Sequence, residues 1–258
     1  MNNLFKLIII NLLLISSIGI RAQELNSKAF KSGEHLTYQA SYNMSGLLTT
    51  FAQVDMKTAA VRTKKKSYMH LKCTAYTYKK WDDFFKIRDL YEAYINPYTS
   101  TPYLYKRDTN EKGTIRKETY KYKGNIVDAT YVRGQSGVIP ATFNISPETK
   151  DVVSTLYYLR NLPIHTARVG DNKDFNVVFD RKIKKVTLQF LGKEKINTVL
   201  GEKECYKISV ALKRENLLKG NNIIYLTADK NKVPVLIEFN IPVGNGQLKL
   251  TQAKNLKY

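Results

Sequence analysis

With 258 residues the chain suits one large domain or two small ones, and 43% hydrophobic with 25% charged residues is a globular composition that excludes wholesale disorder. Thirteen glycines and seven prolines exclude collagen-like and proline-rich architectures. Forty-two basic against 22 acidic residues, formally +20, favour anionic partners: lipid head groups, phosphorylated glycolipid, acidic polysaccharide or nucleic acid.

Residues 1–23 read MNNLFKLIIINLLLISSIGIRAQ, with Lys6 ahead of an almost unbroken apolar stretch over 7–20. That stretch is short of the roughly 20 residues a comfortable bilayer span needs, and it predicts a secretory signal peptide cleaved after Ala22. No cysteine follows it, so the acylation site of a bacterial lipoprotein is missing. The mature chain, 23–258, is expected to be soluble and exported, to the periplasm or in association with the outer membrane. Without Lys6 and Arg21 it carries +18. Export argues against nucleic acid and leaves an anionic lipid, glycolipid or polysaccharide, or another envelope protein, as partner.

From there the chain alternates with period two. Leu36, Tyr38, Ala40 and Tyr42 line one face of a first strand, and Gly46 turns it into a second over 47–57. Strands over 67–78, 88–95, 103–107, 114–123 and 125–133 follow. Asn96-Pro97, Asp108-Thr109-Asn110, Glu111-Lys112-Gly113 and Gly124-Asn125 supply turn chemistry between them. A short helical turn is predicted near residues 80–85. After residue 170 the idiom repeats, with strands over 175–179, 185–191, 194–200, 205–212, 222–227, 233–241 and 247–252. Gly192, Gly201, Asp229-Lys230-Asn231 and Gly244-Asn245-Gly246 read as turns. Pro234 points to an edge or to the beginning of a strand.

One segment breaks the rhythm. Val152, Leu156 and Leu159 recur at helical spacing, Asp151 or Ser146 can cap the start, and Pro163 stops the run, which predicts a helix over 151–161. The expected fold is therefore mainly β. A long antiparallel meander curls into a barrel or half-barrel, with this one central helix packed on its concave side. Two lobes meeting near residues 140–150 are the alternative arrangement of the single domain 23–258.

Cys73 lies on the face of Met69, Leu71 and Ala75, whereas Cys205 lies opposite Tyr206, Ile208 and Val210, with Lys203, Lys207 and Ser209. Two cysteines placed so are expected to be half-buried free thiols rather than a bridge. The search for chemistry is otherwise thin. His35, His70 and His165 have no metal-ligand spacing, and no cysteine pair has zinc spacing. Gly134-Gln135-Ser136-Gly137 lacks the frame of a nucleophile turn and reads as a loop. Asp82, Asp83, Asp89 and Glu92 could form a carboxylate cluster, but capping and pairing with Lys79, Lys80, Lys86 and Arg88 explain them more simply. No catalytic, cofactor-binding or metal-ligating residue emerges, and no cofactor is implied. The densest basic runs, Arg62-Thr63-Lys64-Lys65-Lys66 and Arg181-Lys182-Ile183-Lys184-Lys185, fall where turns are expected. Were they to line the rim of a groove, Lys182 and Lys184 would point one way and Lys185 the other.

The order of several short motifs resembles a known family. Gly33-Glu34-His35-Leu36-Thr37-Tyr38 opens the mature chain; residues 87–95 (IRDLYEAYI) lead to Pro102 and Lys106-Arg107; residues 151–160 (DVVSTLYYLR) sit mid-chain; residues 201–208 (GEKECYKI) and Leu226-Thr227-Ala228-Asp229 through Pro234 close it. Together they resemble the exported bacterial family called domain of unknown function 3108, over nearly all of the mature chain. The resemblance implies a periplasmic or surface protein of antiparallel β-structure with no established activity, and it carries over no catalytic residue. At the motif positions Asp151, Ser154 and Arg160 read as helix capping and a helix-to-sheet anchor, Asp229 as a turn residue, and Gly33-Glu34 as the way into the first strand. Functionally, the expectation is a non-catalytic envelope protein that binds an apolar or amphipathic lipid or glycolipid. A scaffolding partner of another envelope protein is the alternative, and a hydrolase assembled from dispersed residues a remote one.

Overall fold

The computed structural model describes residues 29–44, 46–212, 222–241 and 244–258. The predicted signal peptide lies outside them. Two meanders make up the fold. The first runs through β1 (His35–Met44), β2 (Leu47–Arg62), β3 (Ser67–Thr77), a one-turn helix α1 (Asp82–Phe85), β4 (Ile87–Ile95), β5 (Pro102–Glu111), β6 (Thr114–Lys123), β7 (Ile126–Arg133) and β8 (Ile139–Asn144). Helix α2 (Val152–Asn161) then crosses over to β9 (Asn172–Phe179), and the second meander continues through β10 (Lys182–Thr198), β11 (Gly201–Leu212), β12 (Asn222–Thr227), β13 (Pro234–Ile241) and β14 (Gly244–Lys254). Because β14 pairs antiparallel with β1, the meanders fuse into one open sheet ordered 8-7-6-5-4-3-2-1-14-13-12-11-10-9. Fourteen twisted strands must curl to hide an apolar face, and the concave side is filled by α2, which packs on β3, β4 and β9. A mainly-β, curled antiparallel meander with one central helix is the architecture the alternation predicts.

Several boundaries differ from that reading, each for a local reason. Asp108-Thr109-Asn110 is not a turn but the end of β5: Thr109 is fully buried and the Asn110 N–H donates to Asp89 Oδ1 at 3.2 Å. The turn falls only at Lys112-Gly113, where both residues have φ near the left-handed region. Gly192 does not end a strand either. It is a bulge with φ +115° inside the 17-residue β10, where the register against β11 shifts. Gly244-Asn245-Gly246 belongs to β14, and a Cβ at Gly246 would come 2.6 Å from Phe239 Cζ, so glycine there lets the ring of the opposing strand lie over the backbone. Pro234 begins β13, an interior strand. β8 had no sequence expectation: half-exposed alternation and Pro140 conceal an edge strand. Cys205 is fully buried rather than half-buried, because β11 is covered on both faces and Tyr206 beside it is buried as well. Both cysteines are free, and burial pushes the Cys73 thiol up to about 12 and the Cys205 thiol up to about 11.

The predicted helix is present, with Asp151 as its N-cap. Asp151 Oδ1 accepts the Ser154 N–H at 2.8 Å and the Ser154 hydroxyl accepts the Asp151 N–H at 3.1 Å, a reciprocal capping box. Its buried face only partly matches the expected stripe, of which Leu159 is buried and Leu156 half-buried. Val152 is 42% exposed, whereas Val153, Ser154, Tyr157, Leu159 and Arg160 are buried. Apolar periodicity missed this face because its last member is a guanidinium. Arg160 forms a bidentate pair with Glu34, one arm at 2.8 Å, and both side chains are essentially sealed from solvent. Its Nε donates to Asn231 O at 3.1 Å and Nη2 to Ala29 O at 3.3 Å, while Phe30 and Tyr157 lie against the guanidinium. Asn231 is in turn clamped to the last residue: its Nδ2 donates to Tyr258 O at 2.7 Å and the Tyr258 N–H returns to Oδ1 at 2.9 Å. Three of the short sequence motifs thus meet at one buried knot.

Breaking one side of a buried pair strands the other charge, which costs about 3–5 kcal/mol. Arg160→Met is therefore expected to lower the urea-derived stability by about that much, and adding Glu34→Leu to recover a large part of it. A single variant as stable as wild type would show that the pair is dispensable.

Burial also pushes the Asp151 carboxyl up to about 6. The folded chain then holds this proton more tightly than the unfolded chain, whose aspartates titrate near about 4. Its contribution is present below pH ~4 and lost as pH rises toward ~6. Asp151→Asn should gain on wild type by up to about 3 kcal/mol between those pH values and keep a constant difference above them, read from denaturation midpoints across pH.

Candidate functional site

On the inner face of β4 to β7 the alternation places Asp89, Tyr91, Arg107, Thr109, Glu118, Tyr120 and Tyr131 toward the concavity, with Arg107 directly opposite Glu118 in the register. Arg107 and Glu118 are both buried, 3.8 Å apart at their nearest charged atoms. The Tyr120 hydroxyl donates to Glu118 Oε2 at 2.8 Å. Burial, and secondarily the Glu111 carboxylate, pushes Asp89 up to about 6, and burial raises Glu118 as well. Both carboxyls nonetheless have structural partners, and Asp89 accepts from the Asn110 backbone and the Tyr91 hydroxyl.

The β9–β10 turn closes the curl over this cluster. Asp180 and Arg181 both have positive φ, +50° and +59°, which reverses the chain tightly enough to bring it against β5 to β7. Arg107 Nη1 donates to Asp180 Oδ1 at 2.9 Å, the Arg181 N–H donates to the Tyr120 hydroxyl at 3.1 Å, and the Arg181 guanidinium lies 4.2 Å from the Tyr131 ring centre. The two ends of the open sheet are thus joined by side chains. Outside the turn is a cavity of about 360 Å³ lined by Arg116, Tyr131, Arg133, Asp180, Arg181, Lys182 and Lys184. The acids beside it are paired, Asp180 with Arg107 and Glu111 with the lining Arg116 itself at 2.9 Å, and basic residues outnumber them in the lining.

Beneath α2 is a second, apolar cavity of about 170 Å³, walled by Tyr38, Met56, Cys73, Tyr91, Leu156 and Leu248 among others. Val152 and Leu156, expected in the core, overlook it. Leu159, the third member of that stripe, lines a further apolar cavity of about 250 Å³ with Leu162, Ile164, Leu188, Phe190 and Ile208. The Tyr38 hydroxyl is a buried polar atom with no hydrogen-bond partner, as are those of Tyr105, Tyr122 and Tyr157, and the Arg107 Nε and Glu118 Oε1 atoms. Tyr91 walls the cavity beneath α2 and packs 5.8 Å from Arg107, which reaches Asp180 at the basic cavity. An apolar cavity, a buried guanidinium and a cationic mouth therefore follow one another along the concave side.

The predicted basic runs separate. Arg181, Lys182 and Lys184 converge with Arg116 and Arg133, while Lys185 turns away to Asp174 at 3.0 Å. The 62–66 turn is at the opposite edge of the sheet, about eight residues or ~27 Å along β3 from the row that holds Asp89. Arg116 and Arg133 carry no sequence signal, because only the β6–β7 register makes them neighbours. The histidines do not assemble either. His35 pairs with Asp55 at 2.8 Å, His70 with Glu92 at 2.9 Å, and His165 is exposed. Of the predicted carboxylate cluster, Asp82 binds Thr77 and Arg88, and Glu92 binds His70, so the four acids stay apart. Ser136 closes the β7–β8 turn, its hydroxyl donating to Arg133 O at 2.7 Å.

A family model described as protein of unknown function (DUF3108) matches residues 37–251. No curated protein matches the chain. Among solved structures, a beta-barrel-like protein of domain of unknown function DUF1849 from Brucella abortus superposes with a TM-score of 0.56 over 89% of this chain and 100% of that one, at 7% identity. That likeness is one of fold. A protein with YmcC-like fold from Bacteroides fragilis aligns over 88% of this chain and 100% of its own at 10% identity, with a TM-score of 0.29. No helix among the described residues is long and apolar enough to cross a membrane.

The tyrosines around the site differ in their partners, and their substitution should show it. Tyr120→Phe is expected to cost about 1–3 kcal/mol, since it strips a hydrogen bond from buried Glu118 and one from the Arg181 N–H. Tyr157→Phe, which removes an unpartnered hydroxyl, should be neutral or stabilising by up to about 1 kcal/mol. Equal losses in guanidinium melts would contradict the difference.

Proposed function

Because the chain belongs to the DUF3108 family, whose function is unknown, we propose its role from the site itself: a non-catalytic envelope protein that binds an amphipathic ligand with an anionic head and an apolar portion. The observation that carries this reading is the succession, along one concave face, of the apolar cavity under α2 and the cationic mouth of Arg116, Arg133, Arg181, Lys182 and Lys184. Guanidinium groups hold phosphate and carboxylate with paired donors, and several close cations raise the local potential. The apolar walls, with the Tyr38 hydroxyl buried among them without a hydrogen-bond partner, suit a hydrocarbon segment, since a few placed polar groups in an apolar pocket orient a ligand. The apolar run at the N-terminus supports export as the setting in which such a ligand would be met.

The test is calorimetric binding of lysophosphatidylglycerol, kept below its micelle threshold, with lysophosphatidylcholine as the zwitterionic control. The anionic lipid should bind more tightly, and its affinity should fall with salt. Arg133→Ser with Lys182→Ser should weaken it roughly tenfold while leaving the control unchanged, and Leu156→Glu should weaken both. Equal binding of the two lipids, or unaltered affinity in the double variant, would refute the reading.

A further inference from the structure

In an antiparallel meander every odd-to-even hairpin falls at the same edge of the sheet. At that edge the β1–β2 hairpin and the β3–β4 connection lie side by side. Trp81 Nε1 donates to Thr50 O at 3.1 Å, and the Tyr78 N–H donates to Phe51 O at 3.0 Å. Together they present four large apolar side chains to solvent: Leu47 and Phe84 at 71% exposure, Leu48 at 49% and Phe85 at 43%. None of them belongs to either core cluster. Exposed Lys79, Lys80 and Lys86 flank α1, and the Lys112 N–H donates to Lys86 O at 2.8 Å, which brings the next hairpin alongside. Asp83 is the exposed acid on α1, and Asp82 is tied to Thr77 and Arg88.

We propose that this edge docks on an anionic lipid bilayer, with Leu47, Leu48, Phe84 and Phe85 inserted among the head groups and Lys79, Lys80 and Lys86 on lipid phosphates. Isolated exposed apolar residues are ordinary, but exposed pairs on two adjoining connections, rimmed by lysine, combine the apolar and electrostatic terms that hold a protein at a bilayer surface. Charge complementarity selects the occupant: the patch is cationic on a chain of +20, and lipid phosphate is anionic. The β5–β6, β7–β8 and β9–β10 hairpins that carry Arg116, Arg133 and Arg181 lie at the same edge, so docking turns the cationic mouth toward the membrane. That orientation deepens the amphipathic-ligand reading and rests on it, whereas the docking itself does not.

The experiment is co-sedimentation of the chain lacking residues 1–22 with vesicles of phosphatidylcholine containing about one quarter phosphatidylglycerol, a fraction that gives a negative surface. Trp81, the single tryptophan, sits in the patch and reports insertion through quenching by lipids brominated on their acyl chains. Binding is expected to the mixed vesicles, weakened roughly tenfold by Lys79, Lys80 and Lys86→Ser or by high salt. Replacing Leu47, Leu48, Phe84 and Phe85 with Ser should weaken it at least roughly tenfold and abolish quenching, with an unchanged circular-dichroism spectrum. The Arg133→Ser, Lys182→Ser variant should keep Trp81 quenching, which separates loss of docking from loss of ligand binding. Absent vesicle binding, undiminished binding in the four-Ser variant, or a dimer of the wild-type chain that this variant dissolves would each overturn the proposal.

Discussion

Arg160 and Glu34 join segments 126 residues apart in the chain, and most of the architecture is arranged around that one buried pair. A guanidinium withdrawn from water needs its charge matched and its donors used. Here Glu34 and Ala29 O, from the segment that leads into β1, and Asn231 O, from the β12–β13 connection, supply the acceptors. The helix can satisfy them in only one position and rotation. That position is what places Val153 and Tyr157 on the floor of the concavity and leaves Val152 and Leu156 overlooking a cavity. The pair's contribution is geometric as much as energetic: an apolar replacement of both partners could be as stable, yet would let α2 rotate or slide.

The same economy explains how an open sheet becomes a closed wall. No strand pairing joins β8 to β9 among the described residues; an isolated bridge, Lys150 to Val177, and the β9–β10 turn do the joining. The turn works because Asp180 neutralises a buried arginine while Arg181 stacks on Tyr131 and its N–H meets the Tyr120 hydroxyl. A seam made of charged and aromatic side chains is polar where it reaches the rim of the concave face, and the cationic cavity lies at that rim, against Tyr131, Asp180 and Arg181. The apolar cavities lie on the inner side of the same seam, beside α2. An amphipathic surface is thus a by-product of closing a curled sheet without a last ladder of hydrogen bonds.

Much of this could be read along the chain. Period-two alternation, turn residues, the Asp151 cap and the Pro163 stop are local features, decided by backbone geometry over a few residues, and they sufficed for a curled antiparallel meander with one central helix. The separation of Lys185 from Lys182 and Lys184 was legible for the same reason, because side chains of a strand alternate. Where local chemistry and pairing disagreed, pairing prevailed: Asp108 to Asn110 carry turn chemistry but are held extended between β4 and β6, and Gly192 is held as a bulge against β11.

What remained hidden was decided by partners distant in the chain. Arg160 counts as polar in any helical pattern; its motif marked it as an anchor, but only Glu34, brought to it at the start of the first strand, makes it the largest fully buried side chain of the helix face. Arg116 and Arg133 are unremarkable until the β6–β7 register sets them opposite each other, and Arg181 joins them only because the sheet curls far enough for its ends to meet. A strand's pattern specifies which side chains share a face, since that follows from a two-residue repeat. Which faces meet, and with which charges between them, depends on curvature accumulated over fourteen strands, a quantity that no segment of the chain carries alone.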